Sequence, residues 1–126
     1  MDTSALVKLV VAERESGALA AAVRDVRLLS SALTVTELRR AVLRRPQAPV
    51  QRVEHLLAVL VLAAVDRRVL DLAGRLDPPE LRSLDAVHLA TALDLGARIA
   101  AVVTYDLRLA QAARDAGLAV ESPGAA

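Results

Sequence analysis

Cysteine, phenylalanine and tryptophan are absent from the chain, and Tyr105 is its only aromatic residue among 126. Without cysteine there is no disulfide framework, and a chain of this length buries a core without one, so a single domain in a reducing, cytoplasmic setting is expected. Without aromatics, stacking of bases on side-chain rings is excluded as a main mode of nucleic-acid recognition. Lysine is almost missing as well. Lys8 is the sole example, which argues against a phospho-receiver domain, where acids also gather at strand ends but a lysine follows the last strand. Long apolar runs are lacking too: the most hydrophobic stretch, "LLAVLVLAAV", holds 10 residues, too few to span a bilayer. The N-terminus has no positive region followed by a cleavage site. A soluble protein is expected.

What the chain has in quantity is alanine, leucine and valine, at a mean hydropathy of +0.41. That composition suits helices packed closely on a small sheet. Its 16 basic residues meet 15 acids for a net charge of +1, which excludes a strongly basic nucleic-acid binder of the usual kind. Net charge misleads if acids are gathered around a cation. With four acids so engaged, 16 basic residues face the 11 that remain, and the rest of the molecule carries +5.

Along the chain, helical and extended patterns alternate. "SALVKLVVAE" places Ala5, Leu6, Leu9 and Val10 on one helix face, with Ser4 available as a cap. A second helix is expected from about Ser16 to Val26, then a brief strand in "RLLSSA", then a helix opening at Thr34 and stopped by Pro46. Helix from Pro49 to about Leu57 leads into an apolar run ending at Asp66, which suits a buried parallel strand. "DRRVLDLAGRL" reads as a short helix capped by Asp66. "SLDAVHLATALDLG" is the clearest helix, from Ser83 to Gly96. "ARIAAVVTYD" reads as a strand feeding a helix that Gly117 ends, and "LAV" as a last short strand. Alternation of this kind implies a parallel sheet flanked by helices. The division expected is a domain over 1–121 and a flexible tail over 122–126.

Sites in such sheets form beyond the carboxyl ends of the strands. Four acids fall there, and each has an ordinary explanation. Asp2 precedes a helix and suits a cap; Glu37 stands three residues after Thr34, the spacing of a capping box. Asp85 lies in the first turn of the Ser83 helix, where the macrodipole favours an anion, and Asp106 follows "AAVV" and precedes a helix. Taken together they ask for more. Four converging carboxylates repel one another, no lysine lies near the last three, and hard divalent cations, Mg²⁺ or Mn²⁺, are the natural filling.

The segments "MDTSALVKL", "TVTELRRA", "LRSLDAVHLATAL" and "VVTYDLRLAQAAR", in this order, resemble the PIN-domain ribonucleases, and among them the VapC-type toxins of bacterial toxin–antitoxin pairs. The resemblance covers nearly the whole chain. It implies an α/β, PIN-like three-layer sandwich with a short central parallel sheet flanked by helices. It makes Asp2, Glu37, Asp85 and Asp106 the acidic quartet, with Asp2 and Asp85 as direct metal ligands, Glu37 and Asp106 completing the site, and Ser4 and Thr104 as supporting hydroxyls. The implied function is Mg²⁺-dependent endoribonuclease, with Mn²⁺ as the substitute, hydrolysing RNA through metal-activated water and leaving a 5′-phosphate and a 3′-hydroxyl. A VapB-type antitoxin and a second copy of the chain are the implied partners. The alternative is a catalytically silent PIN-like module that only binds the antitoxin. Family members carry a run of apolar residues ahead of the first aspartate as their central strand; here Met1 alone precedes Asp2, and the expectation is that Met1 is an internal methionine of a longer natural protein.

Other residues have blander readings. His88 shares a helix face with Asp85, and a partly buried structural histidine is the leading expectation for it. Arg39, Arg40, Arg44 and Arg45 read first as a solvated face, and with Arg108 they are candidates to steer phosphates. The apolar faces holding Leu6, Leu9, Val10 and Leu19 are expected to exceed what a small sheet covers and so to offer an interface.

Overall fold

Asp2 is extended, and its carboxylate accepts the N–H of Ala5 at 3.2 Å, so helix α1, Thr3–Val10, begins at the next residue. The computed structural model describes residues 1–126. The cap is therefore Asp2 and not Ser4, whose hydroxyl is turned onto the Asp2 carboxylate. Helix α2, Ser16–Ala22, stops earlier than the apolar pattern suggested, and strand β1 is Leu29–Ser31. Then follow α3, Thr34–Leu43, α4, Val50–Val59, β2, Val61–Ala63, and α5, Arg67–Ala73, with Asp66 accepting the N–H of Val69. Helix α6, Ser83–Leu95, ends at Gly96, whose φ of 55° turns the chain into a 3-10 turn, Gly96–Arg98. Strand β3, Val102–Val103, helix α7, Leu107–Asp115, and strand β4, Val120–Glu121, complete the order.

Every strand pairing is parallel, as helical crossovers require. β1 pairs with β2, Leu29 opposite Val61, and β3 pairs with β4, Val102 opposite Val120. These are two separate two-stranded ladders, and Met1 and Asp2 stand between them. The Met1 ammonium donates to the Leu29 carbonyl at 2.8 Å, the Asp2 N–H to the Val103 carbonyl at 3.3 Å, and Ser30 Oγ to the Met1 carbonyl at 2.7 Å. A trough of about 580 Å³ runs on between the ladders, with Val26, Leu29, Leu89, Ile99 and Val103 among its apolar walls. Burial holds the Met1 ammonium below its ordinary pKa, against the Asp2 charge that favours protonation.

Three apolar clusters form the core. Leu6 and Val10 of α1 pack with Leu38 and Val42 of α3, Val53 of α4 and Leu60. Leu89 of α6 meets Val102 and the Leu109–Ala112–Ala113 face of α7, while Val69 of α5 packs on Val87 and Ala90 of α6. The expected apolar surplus on the first helices is not found. Leu6 and Val10 are buried and Leu9 packs against the first cluster, because α3 and α4 cover that face of α1 and the sheet does not have to; Leu19 of α2 is buried within the chain as well. No helix is long and apolar enough to cross a membrane.

Ser122 Oγ donates to the Thr104 carbonyl at 2.6 Å, and the Tyr105 hydroxyl donates to the Pro123 carbonyl at 2.7 Å. The segment 122–126 is thus tied at its first two residues to the turn between β3 and α7. The Tyr105 ring lies under Lys8, whose Nζ is 4.7 Å from the ring centroid and bonds Glu13 at 3.1 Å and Glu15 at 2.8 Å.

Candidate functional site

Asp2 is the best-held acid of the four. It is 5 % exposed, and Ser4 Oγ donates to its Oδ1 at 2.7 Å while Thr104 Oγ1 donates to its Oδ2 at 2.8 Å. Backbone amides set the direction of both hydroxyls: the Tyr105 N–H donates to Ser4 Oγ at 3.0 Å and the Asp106 N–H to Thr104 Oγ1 at 3.1 Å. Each hydroxyl has one proton, and with its lone pairs engaged by an amide it turns that proton to Asp2. The β3–α7 turn thereby fixes an aspartate 102 residues away in sequence from Thr104.

Glu37 does not form the capping box its spacing suggested. The residue before α3 is Leu33, with no side-chain cap, and Thr34 Oγ1 is engaged with Ser30 Oγ at 2.6 Å. Glu37 Oε1 instead accepts from Thr3 Oγ1 at 2.9 Å and bonds His88 Nε2. Burial opposes its charge, but the hydrogen bond and charge of His88, helped by Thr3, hold its carboxyl below the usual glutamate range. Asp106 caps α7, its Oδ1 accepting the Leu109 N–H at 2.9 Å. Here the capping reading and the site reading coexist, since Oδ2 remains unengaged.

Asp85 differs from the other three. No hydrogen bond supports its carboxylate; burial pushes its pKa up, as do the charges of Asp106, Asp2 and Glu37, with only His88 acting the other way. Acids from four separate segments therefore share one electrostatic field, and Asp85 bears the repulsion. No three acidic or imidazole groups close on a single point. The donors are all oxygen, and a hard cation that keeps most of its waters is held by only one or two carboxylates, so the set fits Mg²⁺ or Mn²⁺.

Two contributors leave no trace in the sequence pattern. Thr3 reaches Glu37, and the Tyr105 backbone steers Ser4; neither has a signature in residue type. His88 is buried, 8 % exposed, as expected of a structural histidine, but its partner is a site acid. Among the arginines, Arg39 is committed to Glu54 through two bonds at 2.9 and 2.8 Å and Arg45 to Glu13 at 3.3 Å. Arg40, Arg44 and Arg108 are exposed.

The PIN domain family model matches residues 1–115. The chain is 48 % identical over 124 residues to Ribonuclease VapC46 of Mycobacterium tuberculosis, covering 98 % of this chain and 95 % of that protein. It is 44 % identical over 131 residues to Ribonuclease VapC35 of the same species, covering 100 % and 97 %, and 39 % identical over 131 residues to Ribonuclease VapC47, covering 99 % and 96 %. No solved structure matches. A family model spanning most of the chain and relatives matched almost end to end, on a molecule in which acids from the starts of four helices act on one another, leave one assignment: the chain belongs to the PIN-domain family, among proteins of the VapC type.

Proposed function

We propose that this chain is a Mg²⁺-dependent endoribonuclease, with Mn²⁺ able to substitute, acting as the toxin of a VapBC-type pair in the cytoplasm. The observation that carries the reading is Asp85: a carboxylate without hydrogen-bond support, raised in pKa by burial and by three neighbouring acids. Carboxylates left unpaired in this way are costly, and a divalent cation relieves the cost. Relatives named ribonuclease support the substrate class.

Asp2 and Asp85 would hold the cation directly, with Glu37 and Asp106 completing the site and Ser4 and Thr104 keeping Asp2 in place. When bound, the cation makes water a better nucleophile and stabilises charge on the phosphoryl and leaving oxygens. The chain's own part is positioning. Asp2 is fixed by two hydroxyls, Glu37 by two other helices, and no serine or threonine at the site is free to serve as a nucleophile. Arg40, Arg44 and Arg108 supply exposed positive charge for the RNA backbone, and hydrolysis leaves a 5′-phosphate and a 3′-hydroxyl. A VapB-type antitoxin would cover the acids with a basic side chain, a fixed cation in place of the metal. Leu43, Val50 and Val59 remain exposed along α3 and α4 and would favour contact with a second copy.

The alternative, a silent, antitoxin-binding module, would be favoured by a weakly held Asp2. Bonds from Ser4, Ala5 and Thr104 to its carboxylate favour the enzyme reading instead. The test is cleavage of RNA by purified protein in Mg²⁺ and in chelator, beside Asp85→Asn. Cleavage that needs Mg²⁺ and falls at least about 100-fold in the variant supports the reading; equal cleavage by both overturns it.

A further inference from the structure

Glu37 is the only one of the four acids gripped from two other helices. Both bonds end on the same oxygen: Thr3 Oγ1 of α1 and His88 Nε2 of α6 meet Oε1, and Oε2 accepts none. His88 follows Asp85 by one helical turn, so the two share a face of α6, and its charge acts on Asp85 in the sense opposite to the acids. It therefore shares a helix face with one acid of the site and bonds another. A histidine serving only to fill the core would not need to end on the oxygen of a partly buried glutamate.

We infer that His88 is a positioning residue which, together with Thr3, locks Glu37 so that a single oxygen, Oε2, faces the cation. This rests on the metal-dependent reading above. A carboxylate held in this way offers one oxygen and leaves room for water, which suits the small octahedral shell of Mg²⁺; Ca²⁺, with its larger and more flexible shell, gains from a carboxylate free to rotate and present both. The clamp thus acts on selectivity as well as affinity. Partners that orient a ligand in this way typically change metal affinity by about 10–100-fold.

The experiment is thermal unfolding of the whole chain titrated with Mg²⁺ and, separately, with Ca²⁺, which reads binding through the rise in Tm without using activity. In His88→Leu the half-saturating Mg²⁺ concentration is expected to rise about tenfold or more, while that for Ca²⁺ moves less, so the preference for Mg²⁺ narrows. His88→Gln, which keeps a nitrogen donor, should lie nearer the wild type. Thr3→Val removes the second bond on Oε1 and should shift Mg²⁺ in the same direction by less; it decides the matter if His88→Leu does not fold. Variants that bind Mg²⁺ like the wild type, or that lose both ions equally, overturn the clamp while leaving the ribonuclease reading intact. A wild type whose Tm responds to neither ion overturns both.

Discussion

At the scale of single residues, two of the acids oppose each other in their effect on stability. Glu37 has a folded pKa below its unfolded value, so it adds stability that is present above the ordinary glutamate range and lost as pH falls through the folded value. Asp85 has a folded pKa above its unfolded value, so the metal-free protein loses stability as pH rises from the ordinary aspartate range through that raised value. Asp85→Asn should therefore raise the Tm of the metal-free protein by the order of a few degrees while abolishing RNA cleavage, a measurable exchange of stability for function. Thr104→Val should act in the other direction. It removes the shorter of the two hydroxyl contacts on Asp2 Oδ2, leaving Ser4 Oγ at 3.0 Å, and leaves the Asp106 N–H without an acceptor, at a cost of about 1–3 kcal/mol by chemical denaturation.

At the scale of elements, the helix starts were legible where a carboxylate caps them. Asp66 and Asp106 each stand just ahead of an apolar helical pattern, and both accept the N–H three residues on, at the starts of α5 and α7. Where several hydroxyls compete, sequence spacing misleads. Thr34 and Glu37 have the capping-box interval, but the Ser30 hydroxyl takes Thr34 and the α6 histidine takes Glu37, because tertiary partners displace the local bond. The turn joining β3 to α7 shows the same limit: its two links to Ser122 and Pro123 depend on a carbonyl and a hydroxyl that no local pattern pairs. Tyr105→Phe, which removes one of those links, should cost about 1 kcal/mol in denaturant unfolding. It should also weaken RNA cleavage, because the Tyr105 backbone steers Ser4 toward Asp2. An unchanged midpoint would mean the tail does not brace the turn.

At the scale of the whole molecule, parallel strands and helical crossovers were readable from alternating patterns, whereas the separation of the strands into two ladders was not, since no strand's sequence states its neighbours. The trough between the ladders has apolar walls on both sides, and facing strand edges there lack a ladder partner. An extended segment of about five apolar, β-branched residues joined ahead of Met1 should enter it, each fully buried side chain contributing about 1.5–3 kcal/mol before ordering costs. A raised Tm with new amide-exchange protection at Leu29 and Val103 is the expected result; an unaltered Tm would show that the trough does not accept a strand.

The convergence of the acids is also a property of the whole chain, since Asp2, Glu37, Asp85 and Asp106 come from four segments, and Asp85 registers the charge of the other three. The most direct test is the Tm of the wild type and of Asp85→Asn, each in chelator and in millimolar Mg²⁺. The expected result is a wild type below the variant in chelator, raised by Mg²⁺, beside a variant that Mg²⁺ leaves nearly unmoved. A wild type and variant with the same Tm in chelator and the same response to Mg²⁺ would contradict the shared site.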